Sequence, residues 1–148
     1  MTEVNAPQLP SGYKLIVDQE AIDAVAAHAY LTRSYWAEGI ALETVAKSIE
    51  HSLCVAVGFD AQQVAMARLV TDRATFAYLS DVYVLEEHRK MGLSKVMLSY
   101  LQNHPELGGL RFWALLTQDA QSLYQQFGWK EYQHPERFMT LDFPDAYQ

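Results

Sequence analysis

Val84-Leu85-Glu86-Glu87-His88-Arg89-Lys90-Met91-Gly92-Leu93-Ser94-Lys95 is the stretch whose reading decides the fold. It joins the longest β-prone run of the chain, Thr75–Leu85, to a segment patterned as a helix, Ser94–Gln102. In that helix Leu93, Met97 and Leu101 recur at four-residue spacing, with Val96 and Tyr100 alongside, and Pro105 follows as a stop. Three of the eleven Lys and Arg residues, Arg89, Lys90 and Lys95, fall within seven positions. A helix N-terminus carries unpaired N–H groups and partial positive charge, and a glycine there lets an anion approach the backbone. The turn is therefore suited to an anion, as it is to an ordinary strand-to-helix link with solvated lysines. It holds neither G-x-x-x-x-G-K-[ST] nor G-x-G-x-x-G, which excludes a P-loop and a dinucleotide-binding fingerprint.

Upstream, Tyr13–Asp18 reads as a strand. Gln19–Leu31 reads as a helix with Ile22, Val25, Ala26 and Tyr30 at helical spacing. Thr32–Gly39 breaks the pattern. A second helix is predicted over Leu42–His51, then strands over Leu53–Phe59 and Gln63–Thr71 joined by the short link Asp60-Ala61-Gln62. Asp72–Ala74 reads as another turn. Downstream, Phe112–Leu116 is a short buried strand and Ala120–Phe127 a helix stopped by Gly128. Trp129–Tyr132 and Phe138–Leu141 are expected to be two last, paired strands. Antiparallel strands followed by a β-α-β crossover predict an α/β (α+β) fold, with a mixed, mainly antiparallel central sheet flanked by helices. No linker divides the chain, so residues 1–148 are expected to form one domain.

Composition fits that expectation. Half of the 148 residues are hydrophobic and a fifth are charged, enough for a single core. The net charge of −7 opposes phosphate backbones and anionic lipid, so neither nucleic acid nor membrane is an expected partner. Cys54 is the only cysteine and lies in an apolar run, which predicts a buried, inert thiol and no disulfide. Met1–Pro10 is polar, so no hydrophobic leader is expected, and the expected location is the cytoplasm. His28, His51, His88, His104 and His134 are widely separated and predict no metal site.

Arg89-Lys90-Met91-Gly92-Leu93-Ser94 resembles the Arg/Gln-x-x-Gly-x-Gly/Ala signature of the GNAT superfamily, the Gcn5-related N-acetyltransferases. Val84 stands five residues before Arg89, where that family has a strand valine. Ala120-Gln121-Ser122-Leu123-Tyr124-Gln125-Gln126-Phe127-Gly128-Trp129 resembles the family's Ala-x-x-Leu-Tyr-x-x-x-Gly-Phe. Ser94 replaces the usual Gly/Ala, Lys90 stands where glycine is common, and Trp129 replaces Phe.

The resemblance implies acetyl-CoA as co-substrate. The backbone of Met91, Gly92, Leu93, Ser94 and Lys95, beside Arg89 and Lys90, would cradle the pyrophosphate. Val82, Tyr83 and Val84 would pair with the pantetheine arm as an added strand. Tyr124 would protonate the departing thiolate, since a phenol and a thiol have pKa values near ~10 and ~8.5. Asp81, just before the pantetheine segment, would position the acceptor or take its proton. The link between the first two helices would shape the acceptor site. There Arg33, Tyr35 and Trp36 could recognise a carboxylate or an aromatic amine, with Tyr78 on the long strand facing the same cleft. Arg68 and Asp72 are weaker candidates. The expected acceptor is a small-molecule amine. A protein N-terminus or lysine is the alternative, as is a non-catalytic coenzyme A-binding module. The last strands and Pro144–Gln148 could pair with a second subunit as a homodimer.

Overall fold

The computed structural model describes residues 7–148. Five strands form one sheet in the order β1 (Tyr13–Ile16), β2 (Leu53–Phe59), β3 (Gln62–Thr71), β4 (Phe76–Val84) and β5 (Phe112–Leu115). The first four are antiparallel neighbours, and β5 joins β4 in parallel. The helices are α1 (Ala24–Leu31), α2 (Leu42–Glu50), α3 (Leu93–Gln102) and α4 (Gln121–Gln125). The mixed, mainly antiparallel α/β sheet predicted from the sequence is the one observed.

Leu53–Val57 is a continuous apolar run because β2 is covered on both faces. Alternation along it sends Leu53, Val55 and Val57 into one core and Cys54 and Ala56 into the other. The first core packs Leu93, Met97, Leu98 and Leu101 of α3 on the sheet, with Tyr124 of α4. The second packs Ala27 and Leu31 of α1 and Val45 and Ile49 of α2 on the opposite face. Cys54 is fully buried there, and burial pushes its thiol up to about 12. None of the helices among the described residues is long and apolar enough to cross a membrane.

Three predicted elements differ, one helix and two strands. The helix expected over Gln19–Leu31 is a 3-10 turn, Gln19–Ala21, followed by α1. Two aspartates compete as caps: Asp18 accepts from Glu20 N at 3.0 Å, and Asp23 accepts from Ala26 N at 3.0 Å. The buried Gln63 side chain holds the break open by bonding both Asp23 N and Asp23 O. The strands expected over Trp129–Tyr132 and Phe138–Leu141 do not form. Pro135–Arg137 makes a 3-10 turn between them, and no ladder joins them to β5 or to each other. A proline at that point lacks the N–H and the φ freedom that a tight hairpin needs.

The β2–β3 hairpin turns on Asp60 and Ala61, with φ of 51° and 64°. Both central residues are left-handed, as in a type I′ turn. A residue with a Cβ pays about 1–2 kcal/mol in that conformation, against about 0.4–1 kcal/mol for the greater unfolded-state freedom of glycine. Ala61→Gly is therefore expected to stabilise the fold by about 0.5 kcal/mol, a rise in Tm of about 1–2 °C in thermal unfolding. An unchanged or lower Tm would contradict this turn assignment.

Candidate active site

The site begins with a fault in β4. Tyr83 pairs with Met66 and Ser80 with Arg68, so Asp81 and Val82 together stand opposite the single residue Ala67. This is a β-bulge, and Asp81 takes φ 53° within it. Pairing of β4 with β5 ends at Leu79 with Leu115, whereas β4 itself continues to Val84. Beyond Leu79 the two strands part, and Ser80–Val84 present to the gap a backbone edge that pairs with no strand among the described residues. Leu85 N bonds Val64 O of β3, so by alternation the Val84 peptide groups face the gap.

β4 runs into the basic turn. Arg89 folds back so that Nε donates to Val84 O at 3.0 Å and Nη2 to the Tyr30 hydroxyl at 3.1 Å. Tyr30 in turn stacks on Tyr83, with centroids 4.6 Å apart. Arg89 thus ties the turn to β4 and α1. Lys90 and Gly92 are left-handed, with φ of 66° and 81°. Gly92 precedes α3 and offers no side chain to cap it. Val96 N is the first to find a helical acceptor, Gly92 O, which leaves the N–H groups of Leu93, Ser94 and Lys95 outside the helical ladder. A Cβ placed on Gly92 would meet no atom within 4 Å, so the space over the turn is open to a ligand.

On the other side of the gap, the bulge aims Asp81 at two donors. Arg68 Nε lies 2.9 Å from one carboxylate oxygen, and Trp36 Nε1 lies 2.8 Å from the other. The Arg68–Asp81 pair is largely shielded, with side chains 15% and 9% exposed. Arg68 is further held by the hydroxyls of Ser52 and Ser80. Beside Trp36, the Tyr35 hydroxyl accepts a 3.2 Å bond from Gln118 N on the link after β5. The α1–α2 link therefore reaches across the gap to its opposite wall. Arg33 sits over the Tyr30 ring at 5.2 Å. Tyr78 is half-buried, and burial followed by the Asp81 charge raises its pKa.

Tyr124 of α4 lines the same gap. Its ring stands edge-on to Trp129, whose Nε1 donates to Gln102 of α3 at 2.7 Å. Burial, with smaller contributions from Tyr35 and Asp119, pushes the phenol up to about 12.

These groups line one cleft of about 1170 Å³. It brings together Tyr124, Asp81, Arg33, Tyr35, Trp36, Tyr78, Val82, Tyr83, Val84, Arg89, Lys90, Gly92, Leu93, Ser94 and Lys95. Met91 is the predicted residue that does not line it; its side chain is 42% exposed. Asp72 is also away from the cleft. It caps its own turn by accepting from Thr75 N, the Thr75 hydroxyl and Ala74 N, which hold its carboxyl well below the usual carboxylate range. Sequence reasoning missed Tyr30, Thr44, Ser48, Gln118 and Tyr147. Thr44 and Ser48 are four apart on α2, a spacing that puts both on one face and could have flagged them. Nothing local marks Gln118 or Tyr147, which arrive through the crossover and the chain end. Among the described residues no three His, Cys, Asp or Glu side chains gather as metal ligands would.

Residues 50–131 match the acetyltransferase (GNAT) domain. A crystal structure from Xanthomonas campestris pv. campestris, assigned to the GNAT family, is 39% identical, covering 95% of this chain and 99% of its own with a TM-score of 0.89. A Gibberella zeae protein described as an inferred acetyltransferase is 41% identical over 76 residues. That match covers 48% of this chain and spans 41% of the length of the curated relative. Glucosamine-6-phosphate N-acetyltransferase from Arabidopsis thaliana, 12% identical, shares the fold with a TM-score of 0.66 over 90% of this chain and 99% of that one. The splayed strands, the open turn and the Tyr124 segment thus sit within matched sequence, and the chain belongs to the GNAT family, the acetyl-CoA-dependent N-acetyltransferases.

Proposed function

We propose that this chain transfers the acetyl group of acetyl-CoA to a primary amine of a small molecule. The observation that carries the reading is the continuity of the free β4 edge, Ser80–Val84, with the uncapped start of α3 at Gly92. The N–H groups of Leu93, Ser94 and Lys95 hold the pyrophosphate, assisted by the charges of Lys90 and Lys95. The β4 edge pairs with the pantetheine arm, as an extended ligand adds to a sheet. An N–H of that edge polarises the thioester carbonyl.

The amine nitrogen attacks the thioester carbon, and the carbon–sulfur bond breaks. Tyr124 gives its phenolic proton to the departing sulfur, and the proton shed by the acylated nitrogen returns to the Tyr124 phenolate through solvent, so the products are the amide and free thiol. Both oxygens of Asp81 already accept hydrogen bonds, from Arg68 and Trp36. That supports a role in orienting the amine rather than in removing its proton. The Tyr35–Gln118 bridge crosses the cleft where a peptide acceptor would need an open groove, which favours a small acceptor. The position of Tyr124 in the cleft favours catalysis over coenzyme binding alone.

With acetyl-CoA and a panel of polyamines, amino acids, aminoglycosides and peptides, free thiol is expected to be released with at least one small amine. Tyr124→Phe lowers kcat by about 10²-fold while coenzyme A affinity stays within about twofold. An unchanged kcat would remove Tyr124 from the mechanism, and no calorimetric binding of coenzyme A would sink the whole reading.

Gly92→Val places a branched side chain where the pyrophosphate lies. It is expected to weaken coenzyme A binding by about tenfold or more. Equal affinity in the variant would show that the anion sits elsewhere.

The pH profile carries a sign. A phenol raised to about 12 stays protonated below that pH. Activity should then show no alkaline fall between pH ~8 and ~10.5, beyond the rise from amine deprotonation at lower pH. A fall with an apparent pKa near ~10 would assign the acid to an unperturbed group.

A further inference from the structure

Arg33 lines the cleft with its position fixed and its fork open. Its Nε donates to Ala29 O, in the last turn of α1, at 3.0 Å. Its guanidinium carbon lies 5.2 Å from the centre of the Tyr30 ring. Tyr30 is itself clamped, because its ring stacks on Tyr83 at 4.6 Å and its hydroxyl accepts from Arg89. Two contacts thus hold the guanidinium in place. Its Nη1 and Nη2 groups have no acceptor among the described residues. An arginine held this way loses little freedom on binding, and its paired N–H groups match the two oxygens of a carboxylate.

The other arginines, lysines and acids of the cleft have different places. Asp81 neutralises Arg68. Arg89, Lys90 and Lys95 belong to the turn before α3 and to its first residues. Asp119 is near enough to Tyr124 to raise its phenol, so it stands at the reacting end. No carboxylate among the described residues pairs with Arg33. Trp36 connects Arg33 to the amine position. Its Nε1 donates to Asp81 at 2.8 Å, and its ring lies 6.3 Å from that of Tyr30. Arg33 and Asp81 therefore border one aromatic wall.

We propose that the acceptor carries a carboxylate as well as its amine, and that Arg33 binds the carboxylate while the amine sits at Asp81. The inference rests on the acetyl-transfer reading above and adds the class of its substrate, an amino acid. The carboxylate takes no part in the transfer and serves to hold the acceptor. One unpaired cation balances one negative charge, which favours a carboxylate over a phosphate dianion. The same charge opposes the second ammonium of a polyamine.

Initial rates of thiol release test this with glycine, β-alanine and γ-aminobutyrate, each against its neutral amide. Aminoethylphosphonate, putrescine and benzylamine complete the set. For the best acid, kcat/KM is expected to exceed that of its amide by about tenfold or more. In Arg33→Met that ratio falls to about one, and Arg33→Lys, with the charge but no fork, restores only part of it. Arg33 is exposed, so both variants should keep the far-UV circular dichroism of the parent. Calorimetric binding of the same acids to the coenzyme A complex is read beside turnover. Acids that bind through Arg33 without being acetylated would sink the transferase reading and support this site. An amide, putrescine or benzylamine used as well as the acids would overturn this inference and leave the transferase reading standing. So would acids that neither bind nor react while another amine does, or an acid preference that survives Arg33→Met. A tenfold loss of coenzyme A affinity in Arg33→Met would place Arg33 at the coenzyme and overturn it too. Aminoethylphosphonate preferred over β-alanine would overturn the choice of carboxylate.

Discussion

The Arg68–Asp81 pair at the β4 bulge is the constraint on which the site depends. A left-handed aspartate inside a strand is disfavoured by about 1–2 kcal/mol, and it persists only where surrounding contacts over-determine it. Here Arg68 is itself fixed by two serine hydroxyls, and Trp36 grips the second oxygen. Removing one partner from such a shielded pair typically costs about 3–5 kcal/mol, because the other charge is left buried alone. The bulge sits two residues past the last β4–β5 pair, at the point where the strands part. One local irregularity thus accompanies an open backbone edge, an oriented carboxylate and the mouth of the cleft.

The two ends of that cleft differ in charge for structural reasons. At the α3 end, His88, Arg89, Lys90 and Lys95 surround a helix start that has no cap, in a chain whose net charge is −7. Arg89 is bonded to Val84 O and Tyr30, so it shapes the turn, and in the proposed reaction the backbone N–H groups with Lys90 and Lys95 take the anion. At the Asp81 end the arginine and carboxylate neutralise each other, and Tyr35, Trp36 and Tyr78 are among the lining residues. In the proposed reaction this division suits a charged coenzyme entering from one side and an amine from the other, with the buried phenol of Tyr124 between them.

Much of this was legible in the residues, and the exceptions have physical causes. The apolar run of β2, the spacing of Leu93, Met97 and Leu101, and Gly128 after α4 each pointed to the element observed, because local pattern and tertiary packing agree there. Val84, Arg89–Ser94 and Tyr124 were found through motif spacing, and all of them except Met91 line one cleft. The break at Asp23 was not legible, because it depends on Gln63, forty residues away. The Arg68–Asp81 contact was hidden for the same reason: a bulge depends on strand register, which no single segment reveals. Gln118 reaches the site only because Tyr35 crosses the gap. The final strands were misjudged because an alternating pattern states what a segment can pair with, and none of the described residues forms a ladder with it.

The central claim is that the free edge of β4 and the start of α3 form one coenzyme site. Titration of ¹⁵N-labelled protein with coenzyme A, followed by amide chemical shifts, tests it most directly. The account predicts that the largest shifts fall on Ser80–Val84 and on Gly92–Lys95, saturating together with a single affinity. Saturable binding that leaves both segments unshifted, or that moves them with two separate affinities, would contradict it.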